Sequence, residues 1–290
     1  MPVTTVLDST MYHEETGSGP AFVFLHGNPG SSRLWRNVLP ALDLPARLLA
    51  PDLIGMGRSG KPDLPYRFAD HARYLDAWFD RLGLDDAVLV GHDWGGALAF
   101  DRAARHPDRV RGVAFLETIL RPMSWAELGE GPRARAEAMR GPQGEALVLD
   151  SDFFLDSAYT GGVLHPLTEA DLNAYRAPYP TRESRRPLLE WARSLPLDGE
   201  PADVAERVAA YGDWLATSDV PKLLLTFDSS PTLLIGPEQA DWCAAHLAAL
   251  ETEHCGPAGH HAPEDRPDAI ASAITRWARR HALGGDLARR

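Results

Sequence analysis

The chain has 290 residues, 44% of them hydrophobic and 24% charged, which suits one globular domain with room for an inserted subdomain, or at most two domains. Its net charge of −12 and pI near 5.3, without a Lys/Arg-dense run, argue against nucleic acid or an anionic membrane as partner, because like charges repel. Two cysteines, Cys243 and Cys255, are too few for a disulfide framework and point to free thiols in a reducing cytoplasm, with a single bridge between them as the alternative.

The opening stretch, Met1 to Gly19, is polar and lacks the basic start and apolar run of a signal peptide. No run of about eighteen apolar residues follows. The expectation is a soluble, unexported protein. From Ala21 onward short apolar runs alternate with amphipathic stretches, the pattern of a parallel sheet covered by helices on both faces. Strands are predicted at Ala21 to Leu25, Arg47 to Ala50, Ala87 to Val90, Val113 to Leu116, Lys222 to Phe227 and Glu251 to Cys255. Helices are predicted near Ala69 to Leu82, Trp94 to Arg105, Gln239 to Leu250 and Pro267 to Arg280, with Gly83 and Pro107 as stops.

Between about Arg121 and Ser218 the alternation breaks into a stretch rich in Pro, Arg, Glu and Ala. A helical insertion is predicted there, so residues 1–120 and 219–290 form the expected core and 121–218 a helical cap. Inserted beside the carboxyl ends of the strands, it would roof a site built on the sheet and exclude water from it. Gly284 to Arg290 are expected to fray.

The most informative segment runs from Val88 to Phe100, where an apolar strand meets Gly91, His92, Asp93, Trp94, Gly95 and Gly96 before a helix. Glycines at 91 and 95 are expected to permit a sharp strained turn that lifts the central side chain above the sheet. Here that residue is Asp93. The positive end of the helix dipole favours its anion, which needs no base before it attacks. The turn alone equally fits an Asp that merely caps a helix. Two further segments bear on the choice. His26, Gly27, Asn28, Pro29 and Gly30 follow the first strong strand and would aim a backbone N–H and the Asn28 amide at the space above Asp93. Gly256 to His261 follow the last strand, where a histidine base would hang from a loop.

Taken together, His-Gly-Asn-Pro at Asn28, Asp-Leu-Ile-Gly-Met-Gly around Leu53, Gly-His-Asp-Trp-Gly-Gly around Asp93 and Glu-Asp-x-Pro-Asp after His260 resemble the haloalkane dehalogenases. The likeness runs from about Gly17 to His281 and takes in cap pieces such as Pro166-Leu-Thr-Glu and Arg186-Pro. It is nearest the subfamily whose acid follows the sixth strand, a branch shared with the Renilla-type luciferases. The resemblance implies the α/β-hydrolase fold and a triad of Asp93, Glu117 and His260, with Asn28 and Trp94 cradling halide. It implies a haloalkane as small-molecule substrate, water as co-substrate, halide as product, no metal and no cofactor, in a monomer or weak homo-oligomer. Two departures bear on the pocket: Trp191-Ala192 stands where family members often carry an aromatic-Pro pair, and the loop from Asp228 to Ile235 is lengthened.

Competing assignments come from the residues themselves. Asp228 rivals Glu117 as the acid, and Glu117 is preferred because a carboxylate directly after an apolar strand must find a partner on burial. His261 rivals His260 and is read as a wall or surface residue. His26 and His92 are expected to orient backbone from beneath, and Asp52 to bond a loop. Phe154, Tyr179 and Trp191 fit an apolar substrate pocket or plain cap core equally well. An epoxide hydrolase would share Asp93 and His260 but needs acidic hydroxyls, for which Tyr159, Tyr175, Tyr179 and Tyr211 are available. Asn28 separates the two readings. A luciferase-like monooxygenase, and a small-molecule receptor without a halide cradle, are the remaining readings of this scaffold.

Overall fold

The computed structural model describes residues 3–228 and 234–285. Its eight strands are β1 (Val3–Val6), β2 (Ser9–Gly17), β3 (Ala21–Leu25), β4 (Arg47–Pro51), β5 (Ala87–Asp93), β6 (Val110–Thr118), β7 (Lys222–Asp228) and β8 (Leu250–Pro257). They form one sheet in the order β1-β2-β4-β3-β5-β6-β7-β8. From β4 to β8 all neighbours are parallel, while β1 and β2 pair antiparallel at one edge.

The parallel strands bury both faces, and their alternation divides the core in two. Val23, Leu25, Leu49, Leu89, Val113, Phe115 and Leu224 point into one apolar cluster, and their neighbours Phe22, Phe24, Leu48, Val88, Val90, Ala114, Leu116 and Leu223 point into the other. The first cluster is closed by α1 (Phe68–Leu82) and α2 (Trp94–Arg105). Gly83 ends α1 at φ +63, a left-handed conformation that relieves the last carbonyls and that glycine adopts without cost.

Between β6 and β7 lie α3 (Glu130–Arg140), α4 (Gly144–Val148), α5 (Phe153–Gly161), α6 (Glu169–Arg176), α7 (Arg186–Arg193) and α8 (Ala202–Thr217). This insert shares the first cluster through Met139, Val148, Leu155, Leu188, Trp191, Val208 and Leu215, and Arg207 on α8 pairs with Asp101 on α2 at 2.9 Å. After β7 come α9 (Pro237–His246), α10 (Ala262–Asp265) and α11 (Pro267–Arg280). Helix α11 closes the second cluster with Ile270, Ile274, Trp277 and Ala278, a stripe at helical spacing.

The sheet is larger than the apolar runs predict. The opening stretch forms the β1–β2 hairpin, whose edge position leaves Glu14 and Glu15 partly solvated and masks the strand pattern. Helix α9 stops at His246 rather than Leu250, which instead begins β8. Cys243 and Cys255 are buried and unpaired. Among the described residues no helix is long and apolar enough to cross a membrane. Residues 229–233, in the loop expected to be lengthened, and residues 286–290 of the tail lie outside the described residues.

Candidate active site

Because β3, β5, β6 and β8 run parallel, their carboxyl ends deliver four segments to one edge of the sheet. Asp93 is both the last residue of β5 and the residue before α2, at φ +51 and ψ −129. A left-handed conformation costs a non-glycine residue about 1–3 kcal/mol, so the surroundings must enforce it. They do so by close approach. A Cβ on Gly91 would overlap Gly96, one on Gly95 would overlap the Leu25 carbonyl, and one on Gly27 would overlap the Asp93 carboxylate itself. The strain therefore falls on Asp93, while Gly91 and Gly95 serve by having no side chain. Thr118 adds a restraint, its buried hydroxyl donating to the Asp93 carbonyl at 2.6 Å.

Glu117 reaches the same edge through an irregularity in the ladder. The β5–β6 register shifts between His92 and Asp93, pairing His92 with Leu116 and Asp93 with Thr118, so that Glu117 is the extra residue, at φ +47. Such bulges re-aim a side chain. The Glu117 side chain, 1% exposed, accepts the Leu234 and Ile235 N–H groups at 2.7 and 3.2 Å and lies 3.3 Å from His260 Nδ1. Asp228 instead faces solvent and pairs with His254 at 3.0 Å.

His260 hangs from the loop after β8, with Nε2 3.6 Å from Asp93 Oδ2. Burial alone would lower its proton affinity, but the Asp93 and Glu117 carboxylates overcome that and raise its pKa to about 9. Asp93 shifts the opposite way: burial would raise it, and His260, with His92 and the Asn28 N–H, brings it below the ordinary carboxylate value. His92 donates Nε2–H to the His260 carbonyl at 2.8 Å and is held neutral chiefly by burial, its pKa lowered to about 3. His26 bonds the Gly27 carbonyl at 2.8 Å through Nδ1 and accepts the Leu53 N–H at Nε2, so it braces backbone below the site. Asp52 accepts the backbone N–H groups of Ser32 and Arg58. His261 is buried rather than on the surface, stacked on Tyr159 at 4.5 Å.

Asn28 donates its backbone N–H to Asp93 Oδ1 at 2.8 Å. One N–H of its amide is committed to the Leu188 carbonyl on α7 at 3.0 Å, leaving the second. The Trp94 indole is stacked on Trp191, 4.7 Å between ring centroids, and Phe68 packs edge-on against both. Trp191 in turn stacks on His71 at 4.2 Å. Among the described residues no hydrogen bond engages the Trp94 indole N–H. The other two expected pocket residues belong to the same apolar cluster as Trp94 and Trp191. Phe154 is half-buried in the first cluster, and Tyr179 packs beneath the Lys61 ammonium, 5.5 Å from its ring. Of the four cap tyrosines, Tyr211 donates to the Ile119 carbonyl and Tyr175 to Glu264, and the Tyr159 and Tyr179 hydroxyls are buried.

Sequence reasoning missed Thr118, the proximity role of Gly27 and the Leu188 carbonyl. A hydroxyl after the acid and a glycine before the donor loop were visible signals, but a carbonyl from α7 leaves no mark in the residue string. His92, His260 and His261 also bring nitrogens within 4.8 Å of one another.

An acidic side chain at a strand-to-helix turn, a histidine facing it and a second buried carboxylate behind that histidine make a set able to attack carbon and then activate water. The comparisons agree with this geometry. Residues 20–267 match the family model of the alpha/beta hydrolase fold. The chain is 47% identical over 276 residues to a haloalkane dehalogenase of Mesorhizobium japonicum, covering 94% of this chain and 89% of that one. It is 45% identical to a haloalkane dehalogenase of Bradyrhizobium diazoefficiens, with 94% and 92% covered. The crystal structure of the haloalkane dehalogenase DbeA from Bradyrhizobium elkani superposes with a TM-score of 0.92 at 45% identity, over 97% of each chain. With sequence, fold and the arrangement around Asp93 in accord over nearly the whole length, the chain belongs to the haloalkane dehalogenases of the α/β-hydrolase fold.

Proposed function

We propose that this dehalogenase hydrolyses the carbon–halogen bond of a haloalkane in two covalent steps, with Asp93 as nucleophile, His260 as base and Glu117 as the acid that orients it. In the first step an Asp93 carboxylate oxygen bonds to the halogen-bearing carbon from behind while the carbon–halogen electron pair departs as halide. The Trp94 indole N–H and the second N–H of the Asn28 amide receive it. Both donors meet charge that grows during the step, so they favour the transition state over the ground state.

In the second step water attacks the ester carbonyl carbon of Asp93 as His260 Nε2 takes its proton, with Nδ1–H held on Glu117. The Asn28 backbone N–H, already on Asp93 Oδ1, meets the oxyanion. Collapse expels the alkoxide, which is protonated to the alcohol, and restores the Asp93 carboxylate. Haloalkane and water thus give alcohol, halide and one proton. The resting enzyme holds His260 protonated, since its pKa is about 9. Esterification removes the Asp93 charge that raises this value, so forming the ester itself frees His260 to act as base.

We read 121–218 as a cap over a core of 1–120 and 219–290. Two unpaired buried thiols suit the cytoplasm, where we place the protein as a monomer or weak homo-oligomer. The observation that carries the reading is the Asp93 carboxylate held at φ +51 between the Asn28 N–H and His260. A steady-state screen of halide release from chloro-, bromo- and iodoalkanes, run beside an epoxide, tests it. Halide release with an inert epoxide is expected. Epoxide opening without halide release would overturn the reading.

A further inference from the structure

The Glu-Asp pair after His260 has no part in the two steps above, yet its second carboxylate is as buried as that of Glu117. The side chain of Asp265 is 1% exposed. Its Oδ2 accepts the N–H of Gly259, the residue before His260, at 2.9 Å. The same carboxylate accepts the Leu164 N–H at 3.0 Å and the His165 N–H at 3.2 Å, both in the turn between α5 and α6, and His165 Nδ1 lies 3.5 Å away. One carboxylate thus joins the loop of the proposed base to the insert.

Two further contacts run in parallel. The His261 N–H donates to the Gly162 carbonyl at 2.7 Å, and the backbones approach so closely that a Cβ on Gly259 would overlap that carbonyl. Glu264 accepts from the Tyr175 hydroxyl on α6 and from Arg36 Nη2 at 2.8 Å. From the core side His92 meets His260 on its backbone carbonyl, and Glu117 and Asp93 meet it on its ring.

We propose that Asp265 is a positioning residue that latches the His260 loop to the insert, so that the seating of the insert sets the alignment of the base for ester hydrolysis. The proposal rests on the reading of His260 as that base. The carboxylate is acceptor-only and meets three backbone N–H groups, whereas an Asn amide would turn its own donors against some of them. Among the described residues no hydrogen bond or ion pair joins Asp265 to Asp93, Asn28 or Trp94, and the latter two meet the insert at a different element, α7, through Leu188 and Trp191. A displacement of about 1 Å at the base costs roughly 100-fold, and that cost falls on the second step alone.

The test is Asp265→Asn, assayed in steady state and by stopped-flow halide release with a bromoalkane. The expected result is a 10- to 100-fold lower kcat with KM lowered in parallel, kcat/KM preserved and a halide burst of about one per enzyme, because ester accumulates. Tyr175→Phe, which removes one hydroxyl from the neighbouring contact, is expected to move kcat and KM the same way to a smaller extent. It decides the matter by the same criteria if Asp265→Asn does not fold. An unchanged kcat, or a kcat/KM that falls as far as kcat, overturns the proposal. His260→Phe run alongside separates the two failures: if it forms no covalent adduct the underlying reading fails, and if it forms one while Asp265→Asn turns over normally, only the latch fails.

Discussion

Asp93 and His260 face each other across 3.6 Å, yet they are held by different parts of the molecule. The turn around Asp93 is built within the sheet and α2: Gly27 and Gly95 admit close backbone approach, Thr118 anchors the carbonyl and Asn28 bonds the carboxylate. The loop around His260 leans on elements distant in sequence, with Asp265 and Gly162 tying it to the insert and Leu234 and Ile235 fixing its acid partner. A nucleophile must be placed once, against a rigid turn. In the proposed mechanism the base acts only after the ester forms, and its loop is tied to the insert through Asp265 and Gly162. The Asp93 carboxylate and the His260 loop therefore rest on separable supports, although Asn28 and Trp94 also touch α7 through Leu188 and Trp191, and perturbations of the carboxylate or of the His260 loop should sort by step.

The largest separation is expected from Glu117→Gln. Three N–H donors converge on this carboxylate, and an amide offers one acceptor oxygen in place of two, so the His260 ring loses its orientation. The expected loss in kcat is about 10³- to 10⁴-fold, the scale of triad acids elsewhere, with ester accumulating. The paired control, Asp228→Asn, is expected to stay within about twofold, because that side chain sits in solvent beside His254. Equal losses in the two would return the acid role to the strand-seven position.

On the nucleophile side, Gly27→Ala places a methyl group on Asp93 Oδ1 and must displace the carboxylate. The expected loss is about 100-fold or more in the alkylation rate, read as kcat/KM, without ester accumulation. A variant that alkylates normally but accumulates ester would erase the distinction between the two regions.

The smallest effect is a split in pH dependence. His260 holds Asp93 ionised below the ordinary carboxylate range, so kcat/KM should stay flat from pH 5 to 9. In the proposed mechanism hydrolysis requires neutral His260, and loss of the Asp93 charge on esterification is expected to bring its pKa below the resting value of about 9. Where hydrolysis limits turnover, kcat should rise about tenfold per pH unit in the acid limb and level off before pH 9. Parallel profiles for kcat and kcat/KM would contradict the split.

The two regions also differed in how far the residues announced them. The Asp93 turn was legible because a strand, a glycine-flanked acid and a helix are consecutive, so local geometry and chemistry share one short string. The parallel alternation and the helical stripe of α11 were legible for the same reason, since each is periodic. What stayed hidden depends on pairing across long separations. The bulge that lifts Glu117 is a register slip between two strands, and the α7 carbonyl that takes half of the Asn28 amide carries no side-chain signature. The β1–β2 hairpin escaped because an edge strand keeps charged residues, and so loses the alternation that reveals an interior one.

Whether Asp93 bonds to substrate carbon is read directly by peptide mapping of His260→Phe after incubation with a bromoalkane. One added alkyl group is expected, located on Asp93, with one halide released per enzyme and no further turnover. A folded variant that releases halide with no adduct, or carries the alkyl group on another residue, would contradict it.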